Sequence, residues 1–347
     1  MKKHQVALLV LLATAAAISV GCGSSSTPTF TQMPFMSDRT VDPATPLFIM
    51  KLDGSNVTPV PSSNDDSVHS TTASANIKTV AYVLDEEVWT SNADGSNSAQ
   101  LTHVTDNDEQ FVTVARVSPD GKKILYAVAD ETSDFTYDLW IMNVDGSGAT
   151  QLISTAPTGM DACYTGSFSS DSAKITFACY HDLEDEDAIF GLFTMKSDGS
   201  DVKQVLTQDS EIDTPAFTPN EKQIVYASYG MPGEQAAARK HAPSAAHFNF
   251  KNPRFENLRP FTKRPHTNGT PGIPTNIGIA SVNVDGSNAA LIIPGENLEV
   301  QVLNSNLYYS VFGDNAQIWK SNLDGTSPTL VSDGTANDFF GICYCGE

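Results

Sequence analysis

Basic side chains are scarce in this chain. Twenty Lys and Arg stand against 41 Asp and Glu, a net charge of −21 over 347 residues. Phosphate backbones are held by basic surfaces, so this balance speaks against nucleic acid as a partner. Cysteine is scarce too, five in all, and no Cys-x-x-Cys pair or Cys/His array has zinc-site spacing. Beyond residue 20 no apolar run is long enough to cross a bilayer as a helix. No Gly-x-Ser-x-Gly occurs, which removes the nucleophile elbow of the α/β-hydrolases. Acidic runs at Asp65-Asp66, Asp106–Glu109 and Glu184–Asp187 lack the Asp-x-Asp-x-Asp-Gly spacing of a calcium loop and read as solvated loops. On these grounds no catalytic residue, metal ligand or cofactor is assigned.

What is present begins with a leader. Met1-Lys-Lys is basic, Val6 to Val20 is apolar, and Ile18-Ser-Val-Gly-Cys22 follows. The apolar core has signal-peptide length. The junction resembles a bacterial lipoprotein signal, although Ser19 stands where that family usually carries an aliphatic residue. The resemblance implies that Cys22 is lipidated and becomes the new N-terminus, with Gly23-Ser-Ser-Ser26 as a tether. The other reading is an ordinary secretory signal cut nearby. We expect a signal peptide over 1–21, a lipid-anchored tether and first strand over 22–45, and one domain over 46–347.

The domain is built from a repeat. Leu139-Trp-Ile-Met-Asn-Val-Asp-Gly-Ser147 alternates and then turns, and its Asp-Gly ending recurs with Asp at 53, 94, 145, 198, 285 and 324. Both central residues of a tight type I′ hairpin want φ > 0, so Asp-Gly predicts such a turn. A second signal precedes it. Val117-Ser-Pro-Asp-Gly-Lys-Lys-Ile-Leu-Tyr126 aligns without gaps with Phe168–Phe177 and Phe217–Tyr226. The Ile-x-Tyr/Phe that follows reads as a half-buried strand. Each repeat thus holds strands A, B, C and D, and its period near 40 to 50 residues is that of a propeller blade. The chain closes on itself: a strand A at Phe339–Cys343 is completed by the N-terminal strand. The expected fold is all-β, a six-bladed β-propeller of four-stranded antiparallel blades.

Ser-Pro-Asp-Gly-x-x-Ile-x-Tyr followed by Leu-Trp-x-Met-Asn-x-Asp-Gly-Ser resembles the WD40-like repeats of the periplasmic TolB family, over roughly residues 46–345. The repeat is degraded at Ala73-Ser-Ala-Asn-Ile77 and at Leu303-Asn-Ser-Asn-Leu307. The resemblance implies a propeller and an envelope location. TolB's helical N-terminal domain has no counterpart, so the Tol–Pal role is not implied. Proteins with this repeat include binding modules, caps on serine peptidases and oligogalacturonate lyases, and fold alone does not choose among them.

Individual residues add candidates. Cys163 and Cys179 lie eight residues either side of the turn at Asp171, so they should face each other and form a structural disulfide in an oxidising envelope. Two free buried thiols are the other reading. Cys343 and Cys345, two apart, share a strand face and are poorly placed to bond each other. Of the histidines, His69 and His103 fall in or near D-to-A connections and His181 in a B-to-C loop, while 241, 247 and 266 sit in an insertion; solvated loop side chains are the expectation. His69, Thr113, Tyr164 and Asp213 align at strand-A starts and are expected to line the channel mouth.

The insertion, 231–272, carries seven basic and two acidic residues, with Phe248, Phe250, Phe255 and Phe261 interleaved. It would fold over the acidic face as a plug, reach out to an anionic headgroup or glycan, or form an unstructured loop. The functional expectation is a non-catalytic, lipid-anchored envelope module that binds a protein or glycan. The alternative is a carbohydrate-active enzyme of the oligogalacturonate-lyase type with a divalent metal.

Overall fold

The computed structural model describes residues 28–39, 46–61, 68–107, 109–130, 136–153, 159–182, 188–208, 210–229, 278–295, 297–311 and 315–340. The leader, Cys22, the insertion 231–272, Cys343 and Cys345 lie outside them.

The strands are β1 (Gln32–Ser37), β2 (Leu47–Lys51), β3 (Thr58–Pro59), β4 (His69–Ala73), β5 (Val80–Leu84), β6 (Glu87–Ser91), β7 (Ala99–Gln100), β8 (Gln110–Val117), β9 (Lys123–Asp130), β10 (Thr136–Asn143), β11 (Thr150–Ile153) and β12 (Ala162–Phe168). They continue with β13 (Lys174–Asp182), β14 (Ala188–Lys196), β15 (Lys203–Gln208), β16 (Glu211–Phe217), β17 (Gln223–Tyr229), β18 (Gly278–Asn283), β19 (Ala290–Pro294), β20 (Asn297–Leu303), β21 (Asn306–Val311), β22 (Gln317–Asn322), β23 (Thr329–Leu330) and β24 (Asp338–Phe339). They form six four-stranded antiparallel sheets. Blades 2 to 6 each use four consecutive strands, starting at β4, β8, β12, β16 and β20. Blade 1 has the order β24-β1-β2-β3, so the far end of the chain supplies its inner strand. The protein is a six-bladed β-propeller, and the only helical element among the described residues is a 3-10 turn at Val104–Asn107.

The core sits between blades. Six clusters of buried side chains run across the boundaries between neighbouring blades, and the largest spans blades 3, 4 and 5. Successive residues of β9 show why: Ile124, Tyr126 and Val128 pack toward blade 2, while Leu125 and Ala127 pack toward blade 4. The expectation of half-buried strands is therefore corrected. Strand β5 is buried at every residue, because both faces of a blade meet other blades, and period-2 alternation then no longer marks inside from outside.

The Asp-Gly turns also differ from expectation. The Asp keeps a negative φ in all six copies, and the Gly alone is left-handed, between 77° and 84°. Gly146 N–H donates to the Asn143 carbonyl at 2.9 Å, and Asn143 N–H donates to the Ser147 carbonyl at 2.8 Å. This is a turn followed by a left-handed glycine rather than a two-residue I′ hairpin. Asp145 stays in it because its carboxylate accepts from Ser147 N–H and Oγ at 3.0 and 2.6 Å, an Asx turn repeated in every copy. Several of these glycines also touch the preceding blade: a Cβ on Gly286 would lie 2.4 Å from the Val205 carbonyl oxygen.

A–B turns and C–D turns share one face of the ring. B–C and D–A connections share the other.

Candidate functional site: the central channel

The inner strands β4, β8, β12, β16 and β20 enclose the channel. Each carries one extra residue relative to its partner, a β-bulge at an equivalent level. At or beside the bulge, four residues before each strand ends, stand His69, Thr113, Tyr164, Asp213 and Glu299. A bulge re-aims side chains and frees backbone groups. Neighbouring inner strands use that freedom to cross-link. Ala115 N–H donates to Ser70 Oγ at 3.2 Å, Val117 N–H to Thr72 Oγ1 at 2.9 Å, and Val300 N–H to Thr214 Oγ1 at 3.2 Å. Tyr164 donates its hydroxyl proton to the Ile212 carbonyl. Ser70 and Thr214 hold positive φ, 50° and 44°, strain that persists where neighbouring contacts fix it.

The four residues expected at the mouth are all buried: His69 is 5% exposed, Thr113 and Tyr164 0%, Asp213 5%. Thr113 Oγ1 has no hydrogen-bond partner among the described residues. None of the four lines the channel's cavity. That cavity, about 450 Å³, lies toward the opposite face, among the A–B turns. All six blades contribute to it, and Arg116 and Glu299 are its ionisable lining. Its wall is largely apolar: Phe30, Met33, Phe168, Phe217, Val302 and Leu303.

The electrostatics centre on Arg116. Its Nη1 donates to Ser70 Oγ at 2.7 Å and to the Ala115 carbonyl at 3.3 Å. Burial lowers its pKa, and attraction to Glu299 and Asp213 opposes that. Burial pushes Asp213 up to about 7, helped by repulsion from Glu211 and opposed by the Thr214 N–H and Arg116. Burial pushes Glu299 up to about 8, opposed by Arg116 and helped by Asp213. Tyr164 is raised well above its ordinary value by burial, then by Glu211 and Asp213. Desolvation thus outweighs the attraction between one guanidinium and the two carboxyls near it.

The remaining candidates lie elsewhere. Cys163 and Cys179 are Cα partners across β12 and β13, with Cα atoms 3.9 Å and Sγ atoms 2.10 Å apart. His181 is the penultimate residue of β13 rather than in a loop, and its Nδ1 lies 3.0 Å from Asp161 Oδ2. His103 is exposed beside Gln100. Histidines 241, 247 and 266, Asp65-Asp66 and Glu184–Asp187 fall outside the described residues. Among those described, no group of three or more His, Cys, Asp or Glu is placed to hold a metal.

Arg116 and Glu299 were missed by sequence reasoning. Arg116 follows Phe111-Val-Thr-Val-Ala115, and a charge in such a strand is the signal that would have found it. Glu299 sits in the repeat whose turn is degraded, which hides its equivalence to Asp213.

No protein-family model matches the sequence, and no curated protein matches it. Solved structures do. TolB from Acinetobacter baumannii superposes with a TM-score of 0.59 at 13% identity, covering 89% of this chain and 65% of that one. This is a TolB-like propeller. A protein assigned as TolB from Agrobacterium tumefaciens superposes with a TM-score of 0.52 at 12% identity, covering 89% of each chain. An oligogalacturonate lyase in complex with manganese gives 0.46 at 11% identity, over 87% of this chain and 73% of that one. The TolB-like propeller here spans under two thirds of the A. baumannii protein, and at these identities the likeness is one of fold.

Proposed function

We propose that the chain is an exported, lipid-anchored envelope protein whose propeller is a non-catalytic module that binds or scaffolds a protein or glycan partner. The observation that carries this reading is the closed ring with a cavity to which every blade contributes. Rigid sheets fix that cavity while connections on the other face remain free to vary, which suits recognition. The fold shared with TolB supports a binding role, and the leader ending at Cys22 supports export and anchoring.

Two measurements test it. Mass analysis of the mature N-terminus should find diacylglycerol on Cys22, and Cys22→Ala should leave the protein without lipid; an unlipidated wild-type N-terminus would refute anchoring. In-envelope crosslinking should recover one stoichiometric partner, reproduced with purified components. Divalent-metal-dependent cleavage of oligogalacturonate, abolished by chelation, would replace the module with the enzyme.

A further inference from the structure

Arg116 is the sole basic side chain lining the cavity among the described residues. Only its Nη1 is engaged, by Ser70 and the Ala115 carbonyl. Among the described residues no acceptor meets Nε or Nη2, and none of the ion pairs includes Arg116. An enclosed guanidinium is normally matched by an oxyanion across its two-pronged edge, since desolvation without such a partner is costly. Here that match is not made by the protein, and the space beside Arg116 has apolar walls.

We propose that the cavity is a receptor site for a small carboxylate with an apolar body. The carboxylate takes the open edge of Arg116, and the body lies against Phe168, Phe217 and Leu303. This goes beyond the module reading, because the ligand is a small molecule rather than a folded partner. The cavity's size is that of small-molecule pockets.

Loading is linked to protons. The carboxyls that act on Arg116 are Asp213 on β16 and Glu299 on β20, with Glu211 behind Asp213. Tyr164 on β12 and His69 on β4 share their level, and β1 contributes Gln32, Met33 and Pro34, none ionisable. Ionised Asp213 and Glu299 repel an incoming carboxylate and compete for Arg116. With both neutral, Arg116 is the unopposed charge. Their ranges, about 7 and about 8, place uptake on the acid side and release on the alkaline side.

Octanoate and its neutral counterpart octanamide are the probes, titrated calorimetrically into the full exported chain at about pH 6 and about pH 9. We expect saturable octanoate binding at the lower pH, on the order of tenfold or more weaker at the higher. Octanamide and the Arg116→Gln variant should each lose on the order of tenfold or more. Asp213→Asn with Glu299→Gln should keep binding and lose its pH dependence. Equal binding of octanoate and octanamide, undiminished binding by Arg116→Gln, or no binding overturns the proposal. If Arg116→Gln does not fold, Arg116→Lys and the octanoate–octanamide comparison on the wild type decide it.

Discussion

Arg39 closes on Asp338, its Nη2 lying 2.8 and 2.7 Å from the two carboxylate oxygens of a residue 299 positions away. Asp338 is fully buried and also accepts from Ser37 Oγ at 2.6 Å. The Arg39 guanidinium is stacked near Phe35 and Phe48, 5.5 and 5.6 Å from their ring centres. Asp38 accepts from Asn337 beside this pair. The contacts surround the two-residue ladder between β1 and β24 that closes the ring.

That ladder is too short to hold a ring by itself, so Arg39→Gln should cost about 3 kcal/mol, most of it from leaving Asp338 unpaired. Arg39→Gln combined with Asp338→Asn should recover part of the loss. Urea denaturation of both variants checks this. A double-variant loss equal to the sum of the two single losses would show that the pair is not coupled.

The turn glycines should not be equivalent. Gly286→Ala meets both a φ of +82° and the Val205 carbonyl oxygen at 2.4 Å, whereas at Gly146 the nearest atoms are 3.5 Å away. Left-handed strain alone costs about 1–2 kcal/mol. Gly146→Ala should lose about that much and Gly286→Ala visibly more, measured by thermal melting. Equal losses would mean the blade contact is soft.

Asp213 and Glu299 give stability a pH dependence opposite to that of the turn aspartates. A carboxyl raised from 3.8 to about 7 takes up a proton on folding. Its contribution is therefore fullest below the unfolded value and is lost as pH rises to the folded one. The same holds for Glu299, from 4.5 to about 8. The Asp213→Asn, Glu299→Gln variant should gain on wild type between about pH 4 and 8 and then level off, by on the order of several kcal/mol. Chemical denaturation across that range reads the difference, and a flat one would sink the idea.

Non-reducing peptide mapping of protein isolated from its native host should recover Cys163 cross-linked to Cys179. Replacing both by Ala should cost about 3 kcal/mol, as for a loop of this length. Two alkylated free thiols would contradict it.

Ser228 and Gly278 are Cα partners at the end of the β17–β18 ladder, so a short turn can join these strands. Deleting 233–271 should leave β-sheet circular dichroism and cooperative melting unchanged. Loss of folding would mean that the insertion supplies core.

The ring was legible because its turns are chemically demanding. Asp-Gly-Ser and Ser-Pro-Asp-Gly leave few alternatives, and counting them located the strands and the closure. The Asp-Gly pair reads equally as an I′ turn or as a turn closed by a left-handed glycine, and the Asp145 side chain decides for the second. Bulges left no residue signature: Thr113, Tyr164, Asp213 and Glu299 share a position and no chemistry. The cavity was invisible for a related reason. It is set by Arg116, Glu299 and the segment around Phe30, which meet only when six repeats close, and Phe30 bonds across that closure to Asn304 at 3.0 and 2.9 Å.

One consequence concerns force. The chain enters the ring through β1, whose five Cα pairs with β2 and two with β24 all run along its length. Tension applied upstream of Gln32 loads these ladders in shear, so their bonds must yield together rather than one by one. An anchored ring would resist pulling best in the blade that its two ends share.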